Sequence, residues 1–354
     1  MEQQEYKKII SRQRKGAIAF LLRVIFSIAS ICYGTVIMLR NFFYSVGIFK
    51  TQKVNAIVIS VGNITVGGTG KTPFVIWLCN FLKQQNISLA VLTRGYKAQR
   101  RTQTDEPAEI AENCLDVPII INPDRVAGAK EAIEKYGAKV LILDDGFQHR
   151  RLFRNLDIIT IDAAEPFGFG KHLPAGLLRE PVSSLKRANA VIITHCDLVA
   201  ESKLKDIEQT LKDINPRLLI MKTSHKPSCI FTSDNKQLSI DYLKGKNVFA
   251  FCGIGNPDSF RKTLENEGAV VKGFEIFDDH YHYSQDDIVS IVQKAKNANA
   301  QLVIATQKDW TKIKHLESLR TIDTFFAYLE IEIKITEGED KFRRLISQTL
   351  TGKI

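Results

Sequence analysis

The sequence predicts an α/β protein built on parallel sheet, and three observations predict it. Short apolar runs rich in β-branched residues alternate with helical stretches along most of the chain. The first strong run, Ala56 to Val61, passes straight into a glycine-rich loop and then Lys71-Thr72 at the start of a helical pattern. A later run, Ala138 to Leu143, ends in a pair of acids, Asp144-Asp145. Strands buried on both faces have this continuous apolar character, and their ligands gather at the carboxyl ends.

The chain has 354 residues, enough for a large core and about two domains. Its formal charge is +10, and it is unevenly spread. The residues before Asn55 include nine Lys/Arg and two Asp/Glu, so +7 of the excess lies there. The nearly balanced remainder argues against a nucleic-acid-binding body and for an anionic surface near the N-terminus. Within that leader, Met1 to Lys15 is polar and basic, and Ala17 to Leu39 is apolar apart from Arg23 and a few small polar residues. The apolar length suffices to cross a bilayer. A signal peptide would need a small-residue cleavage site, which is missing. A true single span would put the basic N-terminus outside, against the positive-inside tendency. Basic residues on both flanks (Arg40, Lys50 and Lys53 follow) favour a helix lying in the cytoplasmic leaflet, with a buried core helix as the bland alternative.

From Asn55 the elements follow in order. The loop after the first strand carries Gly62, Gly67, Gly68 and Gly70 before Lys71-Thr72. Strand, glycine loop and helix form the setting of a phosphate-binding P-loop, here Thr65, Val66, Gly67, Gly68, Thr69, Gly70, Lys71 and Thr72. Backbone N–H groups and the helix N-terminus bind phosphate oxygens; Lys71 reaches the β/γ-phosphates and Thr72 ligates Mg²⁺. The first glycine of the usual pattern is Thr65, with Gly67-Gly68 as extra glycines. A nucleoside triphosphate with Mg²⁺ is therefore the expected ligand of a P-loop NTPase-like domain.

Further strands are predicted at Ser88–Arg94, Val117–Asn122, Ala138–Leu143 and Leu156–Ile161, with a helix from about Asp124 to Tyr136. Asp124-Arg125 fits either a phosphate contact or a helix cap. A second series starts near Ala188 with AVIIT, then a helix over Ser202–Ile214 and strands at RLLIM, Asn247–Ile254, Gln301–Thr306 and Phe325–Ile333. The expected division is 1–54 as membrane-associated helix and stem, 55–170 as P-loop domain, 171–187 as interdomain segment and 188–354 as a second α/β domain. Its C-terminal part is allowed to pack back on the first. Six widely spaced cysteines make no metal-ligand pattern and are expected to be reduced, mostly core residues.

An acid closing an apolar strand in a P-loop protein is the expected place for a Mg²⁺-organising carboxylate. Asp144 and Asp145 point different ways from an extended chain, so one should serve Mg²⁺ and the other hold Lys71 or a nearby loop. Gln148 and His149, on the same turn, are candidates for phosphate or substrate contact.

Taken together, VGNITVGGTGKTP, TRGY, TDEP, DDGFQHRRL, LPAGLLREP, FCGIGNP and FDDHYHYS resemble the tetraacyldisaccharide 4′-kinase family of the lipid A pathway. The runs DDGFQHRRL and LPAGLLREP are the specific ones. The resemblance implies transfer of the γ-phosphoryl of ATP to the 4′-hydroxyl of tetraacyldisaccharide 1-phosphate, forming lipid IVA. It makes Asp105 the proton acceptor, beside Glu106, and His280 its partner. It also brings Arg179 and Glu180 near the nucleotide as phosphate and Mg²⁺ contacts. Thr104 stands where the family usually has glycine, and Gln307 where it usually has an acid. The implied partners are the lipid A disaccharide precursor and the cytoplasmic face of the inner membrane, bound monotopically, with no nucleic acid and no obligate protein partner. A P-loop ligase for a soluble acid, which gives the leader no role, is the nearest rival. A membrane-tethered nucleotide switch is the rival from another class, although no N-K-x-D segment is present.

Overall fold

Strand β1 (Ile57–Gly62) has β4 (Val140–Asp144) parallel on one side and β5 (Leu156–Asp162) parallel on the other. The structure, a computed structural model, describes residues 3–95, 105–234, 236–278, 281–316, 319 and 326–352. The ladder continues outward from β4 through β2 (Leu89–Thr93) to β3 (Ile119–Ile121). From β5 it continues through β6 (Ala190–Thr194) to the first residues of β7 (Leu219–Thr232), parallel throughout. Helices α3 (Lys71–Lys83), α4 (Asp105–Asn113), α5 (Arg125–Tyr136) and α6 (Glu201–Ile214) cover the faces.

Alternate residues of β1 serve opposite faces, which is why the run is apolar without interruption. Ile59 and Val61 pack with Phe74, Val75 and Leu78 of α3, whereas Val58 packs with Leu92, Leu141 and Ala129. Asp124 settles as a helix cap: its carboxylate accepts from the N–H groups of Val126 and Ala127.

The chain forms two units, Glu5–Ser224 with Ile333–Ile354, and His225–Glu332. The boundary therefore lies well past the expected 171–187. The reason is pairing: β6 extends the ladder from β5 (Ile158 opposite Ala190), and β7 extends it again (Ala190 opposite Leu219). Residues 171–187 belong to the first unit, where Leu178 and Leu185 share an apolar cluster with Phe147 and Ile159. The closing helix α10 (Glu339–Leu350) also belongs there, with Phe342 edge-on to Phe74 and near Trp77.

The second unit has parallel strands in the order β10 (Val270–Ile276), β9 (Asn247–Cys252), β11 (Leu302–Thr306) and β12 (Phe326–Glu337). Its helices are α7 (Pro257–Asn266), α8 (Gln285–Asn297) and α9 (Gln307–Ile313). A short β8 (Gln237–Ser239) runs antiparallel to the distal end of β7.

The leader forms α1 (Gln3–Ile10) and the 29-residue α2 (Ala17–Ser45), which is long and apolar enough to cross a membrane. A narrow stripe of α2 is docked. Ser30 Oγ donates to the carbonyl of His172 at 2.8 Å, and the His172 ring lies so close to Gly34 that a Cβ there would stand 2.7 Å from it. Most of the apolar side chains, among them Ile18, Phe20, Ile28, Ile31, Val36 and Phe42, are exposed. That distribution rules out the buried core helix. Five cysteines are buried and free; Cys32, on α2, is free and exposed.

Candidate active site

The glycine loop follows directly from β1, and its two ends are fastened differently. At the front, Val66 N–H donates to the carbonyl of Leu177 at 2.8 Å, and Thr65 bridges antiparallel to Leu178. Val66 therefore cannot offer its N–H to phosphate as expected, and Thr65 is buried in this clip. The Thr69 side chain is likewise turned inward, bonded to Thr160 Oγ1 at 2.8 Å and to Asn63 Nδ2 at 3.2 Å. What remains at the surface is Gly67, Gly68 and, partly, Gly70 to Thr72. A Cβ added to Gly67 or Gly68 would meet nothing, and Gly67 (φ 118°) and Gly70 (φ 74°) hold left-handed backbone that glycine adopts without strain. Helix α3 begins there with no side-chain cap and no acid in its first turn. Its orphan N–H groups and dipole thus remain available to an anion, which fits a phosphate chain.

Beside the loop, β4 pairs with β1 so that Asp144 stands opposite Val61. The two acids divide. Asp145 adopts a left-handed turn (φ 51°) and faces Lys71 Nζ at 3.6 Å and Arg179 Nη1 at 2.9 and 3.0 Å. Burial opposes its ionisation, but Lys71 and Arg179 outweigh it and hold its pKa well below the ordinary carboxylate range. Asp144 is nearly buried, with Thr93 Oγ1 3.5 Å from its carboxylate. Asp145 is thus the acid that pairs with Lys71 and Arg179, and Asp144 is the second carboxylate at this strand end. A carboxylate and the Thr72 hydroxyl are hard oxygen donors suited to Mg²⁺, which uses few protein ligands when phosphates supply others. No cluster of three His, Cys, Asp or Glu side chains that could cage a metal occurs among the described residues.

Glu180 does not fit the expected metal role. It is fully buried, accepting from Asn41 Nδ2 at 2.6 Å and Ser184 Oγ at 2.9 Å, with Arg187 at 3.4 Å and Arg40 at 3.9 Å. Two guanidinium groups already neutralise it, and a cation would have to displace them. Gln148 is also diverted: its Nε2 donates to the carbonyl of Asn63 at 2.8 Å, so it supports the loop rather than a substrate. His149 is half-buried, and burial together with the nearby Arg125 pushes its pKa down to about 4. The imidazole is therefore neutral at pH 7. Arg179 does lie beside the loop, donating to Asn63 Oδ1 at 3.2 Å as well as to Asp145. Asp105 opens α4; the side chains of Asp105 and Glu106, and all of His280, lie outside the described residues.

Sequence reasoning missed the polar groups underneath. Asn63 is fully buried, and Thr194 Oγ1 donates to the carbonyls of Thr69 and Ile161 at 3.2 Å each. Arg40 and Asn41, at the end of α2, reach this region as well, Arg40 donating to the carbonyl of Gln148. A charged-polar pair closing an apolar run was the available signal.

The profile of the Tetraacyldisaccharide-1-P 4′-kinase family matches residues 22–351. The chain belongs to this family. A relative named tetraacyldisaccharide 4′-kinase in Syntrophus aciditrophicus is 37% identical over 349 residues, covering 91% of each chain. Another with the same name, in Halothermothrix orenii, is 35% identical and covers 88% of this chain and 89% of the relative. Among solved structures, LpxK from Aquifex aeolicus in complex with ATP is similar, with a TM-score of 0.69 and 31% identity. That match covers 93% of this chain and 99% of the other, so both of the units described above fall within a family fold.

Proposed function

We propose that this chain transfers the γ-phosphoryl group of ATP to the 4′-hydroxyl of tetraacyldisaccharide 1-phosphate, giving lipid IVA. It is an ATP-dependent kinase of lipid A biosynthesis. The observation that carries the reading is an uncapped helix N-terminus behind a glycine cradle, with Lys71 held at its mouth by Asp145, in a chain of this family.

Each residue has a role that follows from charge. Lys71 and Arg179, released from Asp145 by competition with phosphate oxygens, stabilise the charge that spreads over the transferring group. Thr72 and Asp144 would hold Mg²⁺. When bound, the ion neutralises charge on the phosphate oxygens. Backbone N–H groups from Gly67 to Thr72 cradle the β-phosphate. Asp105 takes the proton of the 4′-hydroxyl, with His280 orienting it; these two roles rest on the resemblance of their motifs. Neutral His149 offers a hydrogen bond without adding charge.

The exposed apolar side chains of α2, with basic residues before and after them, support a monotopic seat on the cytoplasmic face of the inner membrane. The acyl chains of the acceptor then stay in the leaflet while its sugar enters the site. Transfer of labelled γ-phosphate from ATP to purified tetraacyldisaccharide 1-phosphate in detergent micelles tests the reading, with Asp105→Ala beside wild type. A labelled lipid nearly lost in the variant is the expected result. Folded, ATP-binding protein that labels no lipid would overturn the reading in favour of a nucleotide switch.

A further inference from the structure

The last turns of α2 carry two kinds of side chain that face different surroundings. Leu39 and Phe42 are half or more exposed, as befits a lipid-facing side. Arg40 and Asn41, between them, enter a buried polar network that ends at the phosphate-binding loop. One branch runs from Arg40, whose Nη2 donates to the carbonyl of Gln148, through the Gln148 side chain to the carbonyl of Asn63 at 2.8 Å. A second runs from Asn41 Nδ2 to Glu180 at 2.6 Å. The neighbour of Glu180 in the chain, Arg179, donates its N–H to the carbonyl of Ile64 at 2.7 Å and its guanidinium to Asn63 Oδ1 and Asp145. Tyr33, two turns earlier in α2, donates to the carbonyl of Arg179 at 3.2 Å. Both branches therefore meet at Asn63, the residue that leads out of β1 and whose amide donates to Thr69 across the base of the loop. Arg150 fastens the same corner, donating to the carbonyl of Asn41 at 2.9 Å.

An anchor needs only apolar surface and basic flanks. It has no need of a buried carboxylate, and burying Glu180 is tolerable only because Arg40, Asn41, Ser184 and Arg187 all address it. Phosphoryl transfer depends on positioning to a fraction of an ångström, so groups that fix Asn63 and the Arg179–Asp145–Lys71 cluster act on the chemistry at one remove. We infer that Arg40 and Asn41 are positioning residues of the nucleotide site, so that the membrane helix is a structural part of the phosphate-binding loop and not solely its tether. This rests on the assignment of the glycine loop to ATP.

The test uses the full chain in micelles with Arg40→Met, Arg40→Lys, Asn41→Ser and the lipid-facing control Leu39→Ser. For Arg40→Met, kcat falls about tenfold or more and KM for ATP rises several-fold, while KM for the lipid acceptor and sedimentation with phospholipid vesicles stay as in wild type. Arg40→Lys recovers part of kcat. Leu39→Ser does the reverse, weakening vesicle binding and leaving KM for ATP unchanged. Asn41→Ser removes one hydrogen bond without unbalancing the charges, and carries the same readout if Arg40→Met fails to melt cooperatively. Unchanged ATP kinetics in both variants, or an effect confined to vesicle binding and the lipid KM, would overturn the inference. Lys71→Ala separates the two ideas: if it abolishes transfer while Arg40→Met is normal, the loop assignment stands and the inference falls. If Lys71→Ala is also normal, the loop assignment itself has failed.

Discussion

Each unit contains a strand, a glycine-bearing loop and a helix, and the two loops have opposite fates. After β9 the loop Gly253 to Asn256 satisfies itself: Gly253 N–H donates to Asp309 at 2.9 Å, and Asn256 accepts from Ser259 N–H at the start of α7. Asp309 is fully buried and also accepts from Thr306 Oγ1 at 2.6 Å. After β1 the corresponding helix start has no side-chain cap, and the charged groups nearby pair with one another at the mouth. Glycines alone do not mark a phosphate site. The mark is a helix N-terminus with no side-chain cap, next to a cation paired with a carboxylate that phosphate can displace.

That contrast can be broken at its strongest point first. Lys71→Ala removes the cation from the open loop and should lower kcat by about a thousandfold, roughly 4 kcal/mol of transition-state stabilisation, in the labelled-phosphate assay. Gly70→Ala adds a Cβ 3.0 Å from Thr194 Cγ2 at a φ of 74°. It should cost about 1–3 kcal/mol in melting experiments and raise KM for ATP at least tenfold. The pH response sharpens the comparison next. His149 has its pKa lowered from 6.5 to about 4, so between those values the unfolded chain binds the extra proton. Stability is full above pH 6.5 and falls as the pH drops toward 4, by up to about 2 kcal/mol at pH 5. Thermal melts at pH 7 and 5 should show this difference shrink in His149→Asn. The smallest effect belongs to the closed loop. Asn256→Ala should cost about 1 kcal/mol of stability through the lost cap of α7, with KM for ATP unaltered. A change in ATP kinetics there would erase the distinction between the two loops.

What could be read in advance was local. Lys71, Thr72 and the Asp144-Asp145 pair are signalled by neighbours within a few residues, because a strand, a turn and a helix start are short-range events. Apolar runs likewise located β1, β2, β4, β5, β6, β9 and β11 to within a residue or two. The role of Glu180 was not legible, since its partners Arg40 and Asn41 lie some 140 residues away in sequence. The same holds for Asn63 and Arg179, and for Thr69 and Thr194. Buried polar groups are obliged to find partners, but nothing in a linear pattern says which ones. The unit boundary escaped for a related reason: β6 and β7 look like the start of a new sheet until their parallel partners are known.

The interleaving of the two units has a consequence for how the chain is made. Phe342 and Ile346 complete the apolar cluster around Phe74 and Leu78, yet they are synthesised after the whole of His225–Glu332. At about 5–20 residues per second, the ribosome emits the end of the first unit's long segment on the order of ten seconds before the helix that seals it. For that interval the aromatic face of α3, Phe74, Trp77 and Phe81, lacks its cover. The loop that α3 supports is therefore backed by an incomplete apolar cluster until α10 has been made, and a chain that stops before Glu339 has an unsealed first unit.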